Sequence, residues 1–346
     1  MTTCPLPSAG DGRVLLGHGA GGRLSAELLE AHILPALAPA AAATGGPLED
    51  AAPLPGDDTL VMTTDAFVVS PLFFPGGDIG TLAVNGTVND LAMRGARPLA
   101  LTVALIIEEG LDFARLDAVL ASLGKAAAEA GVPVVAGDTK VVGRGQADGL
   151  FITTTGIGRR LPGLNPSAAR ARPGDAVLLS GPVGAHGTAV LSVRDNLGFA
   201  SDITSDTRPL HRLVDALSPL GAHVHTLRDP TRGGLAASLN EIARDSRIHV
   251  SIDETALPVP EPVAGACDLL GLDPLTVANE GCMVAFIAPD SADEALGLMR
   301  ALPEGRYATR IGDVTAGPAG RVVLRTLIGA QRLIDMPLGE QLPRIC

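Results

Sequence analysis

Hydrophobic and polar positions fall into short runs broken by glycine, proline and aspartate, a pattern of strands and helices taken in turn rather than of long helices. In the first half, apolar runs at 60–64, 99–107 and 132–136 have strand length and end in polar or glycine-containing turns, and 149–158 adds a further strand. Between them, 78–93 and 113–130 have helical composition, the first entered through Gly76-Gly77-Asp78. Prolines at 162, 166 and 173 with glycines at 163 and 174 mark 161–175 as a linker. Beyond it the pattern predicts a strand at 176–180, a glycine-rich turn at 181–187 opening a helix, a helix at 233–244, strands near 249–252 and 283–287, a helix at 292–302 and a final strand at 322–327. Strand and helix alternate in both halves, so the expected fold class is α+β in two domains, 1–160 and 176–337, followed by a flexible tail, 338–346. A chain of 346 residues is long enough for each half to bury its own core.

Composition narrows the function. Aromatics are only 2%, with no Trp and one Tyr, so the cores must be built from Ala, Val, Leu and Ile, and no platform exists for stacking nucleic-acid bases. A net charge of −12 offers no basic stripe to phosphate backbones, which excludes nucleic acid as a partner. A polyphosphate ligand would need a metal ion or backbone N–H groups to offset that acidity. Despite a mean hydropathy of +0.31, no run has membrane-spanning length: 34–43 contains two prolines and 99–107 is strand-sized. Residues 1–16 lack an apolar segment behind a basic start. Cys4, Cys267, Cys282 and Cys346 show no CxxC spacing, which argues against zinc or a disulfide framework; a reduced, cytoplasmic protein is expected.

The chain ends in a cysteine. A terminal thiol is a poor structural element but a good carrier, because a thiolate is nucleophilic and a loose arm can move it between surfaces. Pro343 stiffens the approach to Cys346, Arg344 sets a cation beside the thiol, and Gly339 offers a hinge. Residues 338–346 extend on the order of 30 Å, far enough to enter a neighbouring site. A glycine-rich stretch, Gly17-His18-Gly19-Ala20-Gly21-Gly22, precedes a helical segment and can curl its N–H groups around an anion; a flexible lead-in has the same composition. Carboxylates at expected strand ends and turns (Asp57, Asp58, Asp65, Asp90, Asp138) resemble a site for a hard cation, although each is also a turn former. Asn85 and Asn89, at i and i+4, would share one helix face toward a ligand. Lys140 and Glu280, in turns beside apolar runs, have the chemistry for proton transfer or phosphate stabilisation, and 228–234 (RDPTRGG) is a further turn-to-helix anion candidate.

Taken together, GHGAGG at 17–22, PGDDTLVMTTDAFVVSP at 55–71, GGDIGTLAVNGTVNDLAMRGARP at 76–98, VVAGDTKVV at 134–142, SGPVGAHGTAVL at 180–191, RDPTRGGL at 228–235, ANEGC at 278–282 and PRIC at 343–346 resemble the HypE family of carbamoyl dehydratases in nickel-iron hydrogenase maturation. That family lies in the superfamily of aminoimidazole ribonucleotide synthetase and selenophosphate synthetase, and the terminal PRIC is the most specific of the motifs. The resemblance implies a two-domain PurM-like (AIR synthetase-like) architecture, an N-terminal sheet that forms a homodimer, a C-terminal α/β sandwich, and ATP with Mg²⁺ near the subunit boundary. A HypF-like partner is expected to place a carbamoyl group on Cys346. ATP would then phosphorylate its oxygen, loss of phosphate would leave a thiocyanate, and the cyano group would pass to iron on a HypC–HypD complex. By the same resemblance Asp58, Asp65, Asp90 and Asp138 hold metal and phosphates, Gly19, Gly21, Gly22 and Asn85 assist in binding ATP, and Lys140 and Glu280 flank the thiocarbamate. Glu280 is taken as the base, with the division of labour between it and Lys140 open.

Two other readings are distinguishable. A selenophosphate synthetase would need a thiol or selenol within the glycine region, whereas Cys4 lies well ahead of Gly17. A nucleotide-gated docking module would need only the shape of the tail, while the enzyme needs its sulfur.

Overall fold

The computed structural model describes residues 13–38, 48–194, 203–339 and 344–346; the start of the chain, Cys4 and Pro343 lie outside the described residues. The first domain contains α1 (Gly22–Leu28), α2 (Leu34–Leu37), β1 (Ala52–Leu54), β2 (Asp57–Phe67), β3 (Phe73–Phe74), β4 (Gly77–Asp78), α3 (Ile79–Met93), β5 (Ala96–Glu108), α4 (Phe113–Ala130), β6 (Val134–Val142) and β7 (Leu150–Arg160). Among the described residues its main sheet runs β1-β2-β7-β5-β6, antiparallel except for the β5–β6 pair, which α4 connects. Asp78 starts α3 by accepting N–H bonds from Gly80 and Thr81, and Gly131, at φ 67°, ends α4 in the left-handed conformation that glycine tolerates.

Apolar nearly all round, α3 is buried nearly all round, because one side packs on β2 and β7 while the other meets the second domain. That sandwiching brings Asp90, its last carboxylate, to the domain boundary. The opposite face of the sheet is uncovered: Met62, Ile106 and Ile157 are 37–39% exposed there.

The second domain contains β8 (Ala176–Leu179), α5 (Ala185–Arg194), α6 (His211–Leu217), β9 (Val224–Arg228), α7 (Gly234–Ser246), β10 (His249–Asp253), α8 (Glu261–Leu270), β11 (Val284–Ile287), α9 (Ala292–Arg300), β12 (Thr309–Thr315), β13 (Arg321–Arg325) and β14 (Gln331–Ile334). Its strands order as β14-β13-β10-β12-β8-β11-β9, and β8 and β11 are buried throughout at its centre. Helix α7 covers one face, with Leu235, Leu239 and Ile242 against Phe286 and Val284, and α6 and α9 cover the other. The architecture is thus the two-domain α+β one expected.

Several local expectations change. The strand read at 132–136 continues to Val142, so Asp138 and Lys140 lie in a strand rather than a turn, while Asp90 lies in the helix expected at 78–93 and not at a strand end. The strand at 322–327 is not the last, because β14 returns antiparallel to β13. Helices α6 and α8 and strands β9 and β12 escape the pattern because they are short and polar residues interrupt their few apolar positions. The connection through 161–175 is packed, with Leu164, Ala168 and Ala171 buried. At the end of the chain Arg344–Cys346 is docked, and Ile345 is 3% exposed.

Candidate active site

A cavity of about 730 Å³ lies between the two domains, within the range of sites for small molecules and cofactors. One wall is Thr63, Asp65 and Asp90 of the first domain; the other is Arg228, Asp229, Arg232 and Glu241 of the second, with α1 along one side and Glu280 and Cys346 at the end.

Carboxylate oxygens of Asp50, Asp90 and Asp229 lie within 4.8 Å of one another. Burial is the main cause that pushes Asp50 up to about 8, Asp229 to about 6, and Asp90 well above the carboxylate range, where Asp65 and the cluster repel its charge further. Asp65 is raised too, again chiefly by burial, with Arg232 opposing. Thr63 Oγ1 donates to Asp90 at 2.8 Å, and Arg228 pairs with Asp50 and Glu241, both at 2.9 Å. Asp229 Oδ2 is buried without a hydrogen-bond partner. Mutually repelling carboxylates with an orphaned oxygen are a donor set that a hard divalent cation fits, since the cation supplies the positive charge that ionising them requires.

Glu280 sits in the loop before β11, 3% exposed, with Oε1 unpartnered and its pKa raised well above the ordinary value, first by burial and then by Asp229, Asp206 and Asp65. The loop is held by its backbone. Asp206 accepts N–H bonds from Glu280 (3.0 Å) and Gly281 (3.1 Å), Asn89 donates to the Glu280 carbonyl, and Asn279 accepts from Gly184 N–H at 2.6 Å. Gly281 is required here: a Cβ would stand 1.8 Å from the Asp206 carbonyl oxygen. Arg232, at the mouth, is held firmly protonated by the negative charge at Cys346 first and then by Asp65, Glu280 and Asp90. It donates to the carbonyl of Gly19 at 3.1 Å.

The structure brings Cys346, Glu280, Asp65, Asp90, Gly21 and Gly22 to the cavity. Gly19 is set beside it through Arg232. Asn85 is buried off the cavity wall, donating to Thr207 Oγ1 at 3.3 Å with its Oδ1 unpartnered; the Asn89 amide, expected to face a ligand, is spent on the backbone of 208–210 and 280. Asp58 lies near the far end of β2 from Asp65. Asp138 and Lys140 pair with each other at 2.5 Å on the exposed edge strand. Through the register Asp138–Ala104–Thr153–Ala66, that edge is three strands from Asp65, about 14 Å. Asp50, Arg228, Asp229 and Arg232 also line the cavity, and none of them is marked by the sequence as an individual ligand. RDPTRGG carried a signal as an anion turn, but Asp50 follows a featureless stretch and becomes visible only in three dimensions.

The family described as AIR synthase related protein matches the chain in two parts, its N-terminal domain at 48–160 and its C-terminal domain at 172–325. The chain is 52% identical over 337 residues to the carbamoyl dehydratase HypE of Rhizobium leguminosarum bv. viciae, covering 97% of this chain and 96% of that one. It is similar to a crystal structure of a hydrogenase maturation protein HypE in complex with ATP, with a TM-score of 0.81, 50% identity and coverage of 96% and 100%. A crystal structure of a HypE–HypF complex aligns with a TM-score of 0.84, 46% identity and coverage of 90% and 99%.

Proposed function

The chain belongs to the HypE carbamoyl dehydratases within the AIR synthase related family, and from that premise we propose that it uses ATP to dehydrate a carbamoyl group on Cys346 to a thiocyanate, the source of the cyanide ligand for the iron of nickel-iron hydrogenase. The observation that carries the reading is the terminal cysteine on the wall of a nucleotide-sized cavity, together with Glu280, Arg232 and a carboxylate cluster.

An amide oxygen is a poor leaving group and a phosphate is a good one. The carbamoyl oxygen takes the γ-phosphoryl group as ADP leaves and one N–H proton is lost; the C–O bond then breaks, phosphate departs with its electrons, the second N–H proton is lost and the C≡N bond forms. Asp50, Asp90 and Asp229, with Asp65 beside them, would hold Mg²⁺, which supplies charge neutralisation for the phosphates. Arg232 stabilises negative charge at the mouth, and the buried wall formed by Glu280 and the docked tail keeps water from the activated carbon. Glu280 lines the cavity with an unpartnered Oε1, so in its ionised form, which Mg²⁺ neutralising the neighbouring carboxylates would favour, it is placed to take the N–H proton.

Asp138 and Lys140 face the uncovered side of the first sheet, the side of Met62, Ile106 and Ile157. A homodimer built on that face would bury the apolar residues and present Asp138 and Lys140 across the subunit boundary, where Lys140 could stabilise the transferring phosphoryl group. A HypF-like carbamoyltransferase delivers the carbamoyl group and a HypC–HypD complex accepts the cyanide. A cytoplasmic setting fits these partners; among the described residues no helix is long and apolar enough to cross a membrane.

Intact-mass measurement after incubation with the carbamoylating partner and ATP tests the reading: a carbamoyl group should appear on the C-terminal peptide and then lose one water. Stable carbamoylation with ATP consumed but no water lost would overturn it.

A further inference from the structure

Docking of Arg344–Cys346 does not follow from the thiol. The segment lies along 68–70 as a short ladder, with Val68 N–H donating to the Cys346 carbonyl (3.0 Å) and Ser70 N–H to the Arg344 carbonyl (3.1 Å). The two ends of α5 brace it. At the far end Arg194 donates to the carbonyls of Ser70 (2.8 Å) and Arg344, while Arg344 itself pairs with Asp148 at 2.6 Å. At the near end stands His186, with no solvent exposure, its ring nitrogens 2.6 Å from the Ile345 carbonyl oxygen and 2.8 Å from Ser205 Oγ.

Bonding partners fix the tautomer. A carbonyl only accepts, so Nε2 carries the hydrogen and donates to Ile345; Nδ1 is then the acceptor and the Ser205 hydroxyl donates to it. Ser205 Oγ in turn accepts from Thr207 N–H at 3.1 Å, and the Thr207 hydroxyl accepts from Asn85 at 3.3 Å, so the chain of bonds runs back to α3, the helix that carries Asp90. Phe74 stands edge-on to the imidazole with centroids 5.3 Å apart, which blocks rotation of the ring. Burial also lowers the basicity of His186 and keeps it neutral, as this pattern requires.

We propose that His186 is the positioning residue of the tail: its Nε2–H grips the peptide immediately before Cys346 and thereby sets the depth at which the sulfur enters the cavity. Its ring nitrogens are engaged by the Ile345 carbonyl and Ser205 Oγ, so its part in the dehydration proposed above is indirect, and the kinetic arm of the test rests on that reading.

The test uses full-length protein and compares His186→Gln, whose amide N–H₂ reaches the Nε2 position, with His186→Leu, which keeps bulk without a donor, and with Ser205→Ala, which removes the partner that fixes the tautomer. The first readout is the rate at which iodoacetamide alkylates Cys346, followed on the C-terminal peptide, with buried Cys267 and Cys282 reporting any unfolding. Loss of the bond should speed alkylation roughly tenfold in His186→Leu and a few-fold in Ser205→Ala, with His186→Gln close to the parent. The second readout is single-turnover dehydration of carbamoylated enzyme, where His186→Leu should lower the rate without changing the ATP concentration giving half of it. Equal acceleration of alkylation in Gln and Leu variants, or none in Leu with Cys267 and Cys282 protected, overturns the proposal. Should His186→Leu unfold, unchanged alkylation in Ser205→Ala overturns it equally. Alkylation is independent of turnover, so a parent that alkylates slowly but never dehydrates would sink the dehydratase reading and leave the grip of His186 standing.

Discussion

Replacing Asp229 by asparagine should make the protein more stable and less able to use a metal-bound nucleotide. Asp229 is 5% exposed, belongs to the three-carboxylate cluster, and has an oxygen with no partner. Its pKa is raised from 3.8 to about 6, mainly by burial, against the pull of Arg228. Because the folded value lies above the unfolded one, ionisation costs the folded state. The penalty is small near pH 4, grows between about pH 4 and pH 6, and is constant above, where it reaches about 3 kcal/mol. Asparagine keeps the shape, removes the charge and turns an N–H toward the neighbouring carboxylates. In thermal unfolding without divalent ions the variant should therefore melt higher than the parent at about pH 7.5, by up to ~4 °C for a chain of this length, with the gap closing toward about pH 4. Magnesium and ATP together should then raise the parent's melting temperature more than the variant's, because a ligand stabilises only in proportion to its affinity for the folded state. A variant that melts below the parent at pH 7.5, or the same gap at both pH values, would refute the reasoning about buried charge. Equal stabilisation of both proteins by magnesium and ATP would remove Asp229 from the metal site.

Cys346→Ser should leave the melting temperature and ATP binding unchanged and abolish thiocyanate; its appearance on another cysteine by peptide mass would end the carrier assignment. Glu280→Gln should still bind ATP in calorimetry but dehydrate roughly 10² to 10⁴ times more slowly in single turnover, and a normal rate would rule it out as the base. Lys140→Ala, at an exposed edge, should change stability by less than about 0.5 kcal/mol yet slow phosphoryl transfer in rapid-quench mass measurements; slow loss of an accumulated phosphorylated intermediate would exchange its role with that of Glu280. Gly281→Ala must push the loop away from the Asp206 carbonyl, so it should lower both the melting temperature and the dehydration rate, and an unaffected rate would show that the position of Glu280 does not depend on this turn.

The residues that face the cavity were partly legible because local chemistry carries its own signature. Strand-length apolar runs place β2, β5 and β7, since alternation against a buried face is a property of neighbouring residues. Asp65, Asp90, Glu280 and Cys346 stand out as polar groups in apolar or terminal settings, and the motif resemblance names their chemistry. What the sequence could not decide depends on distances across the fold. Asp50 and Asp229 are far apart along the chain, and only the packing of α3 between the domains sets both beside Asp90, where burial and mutual repulsion give them their unusual affinity for protons. The separation of Asp138 and Lys140 from that cluster is likewise a matter of sheet order, because β7, which follows both β2 and β6 in the chain, inserts between β2 and β5 and leaves β6 three strands from β2. The tail shows the division most clearly. A terminal cysteine with a cation beside it can be read as a carrier from nine letters, but its docking depends on backbone carbonyls meeting His186 and Arg194, and a backbone carbonyl has no letter of its own.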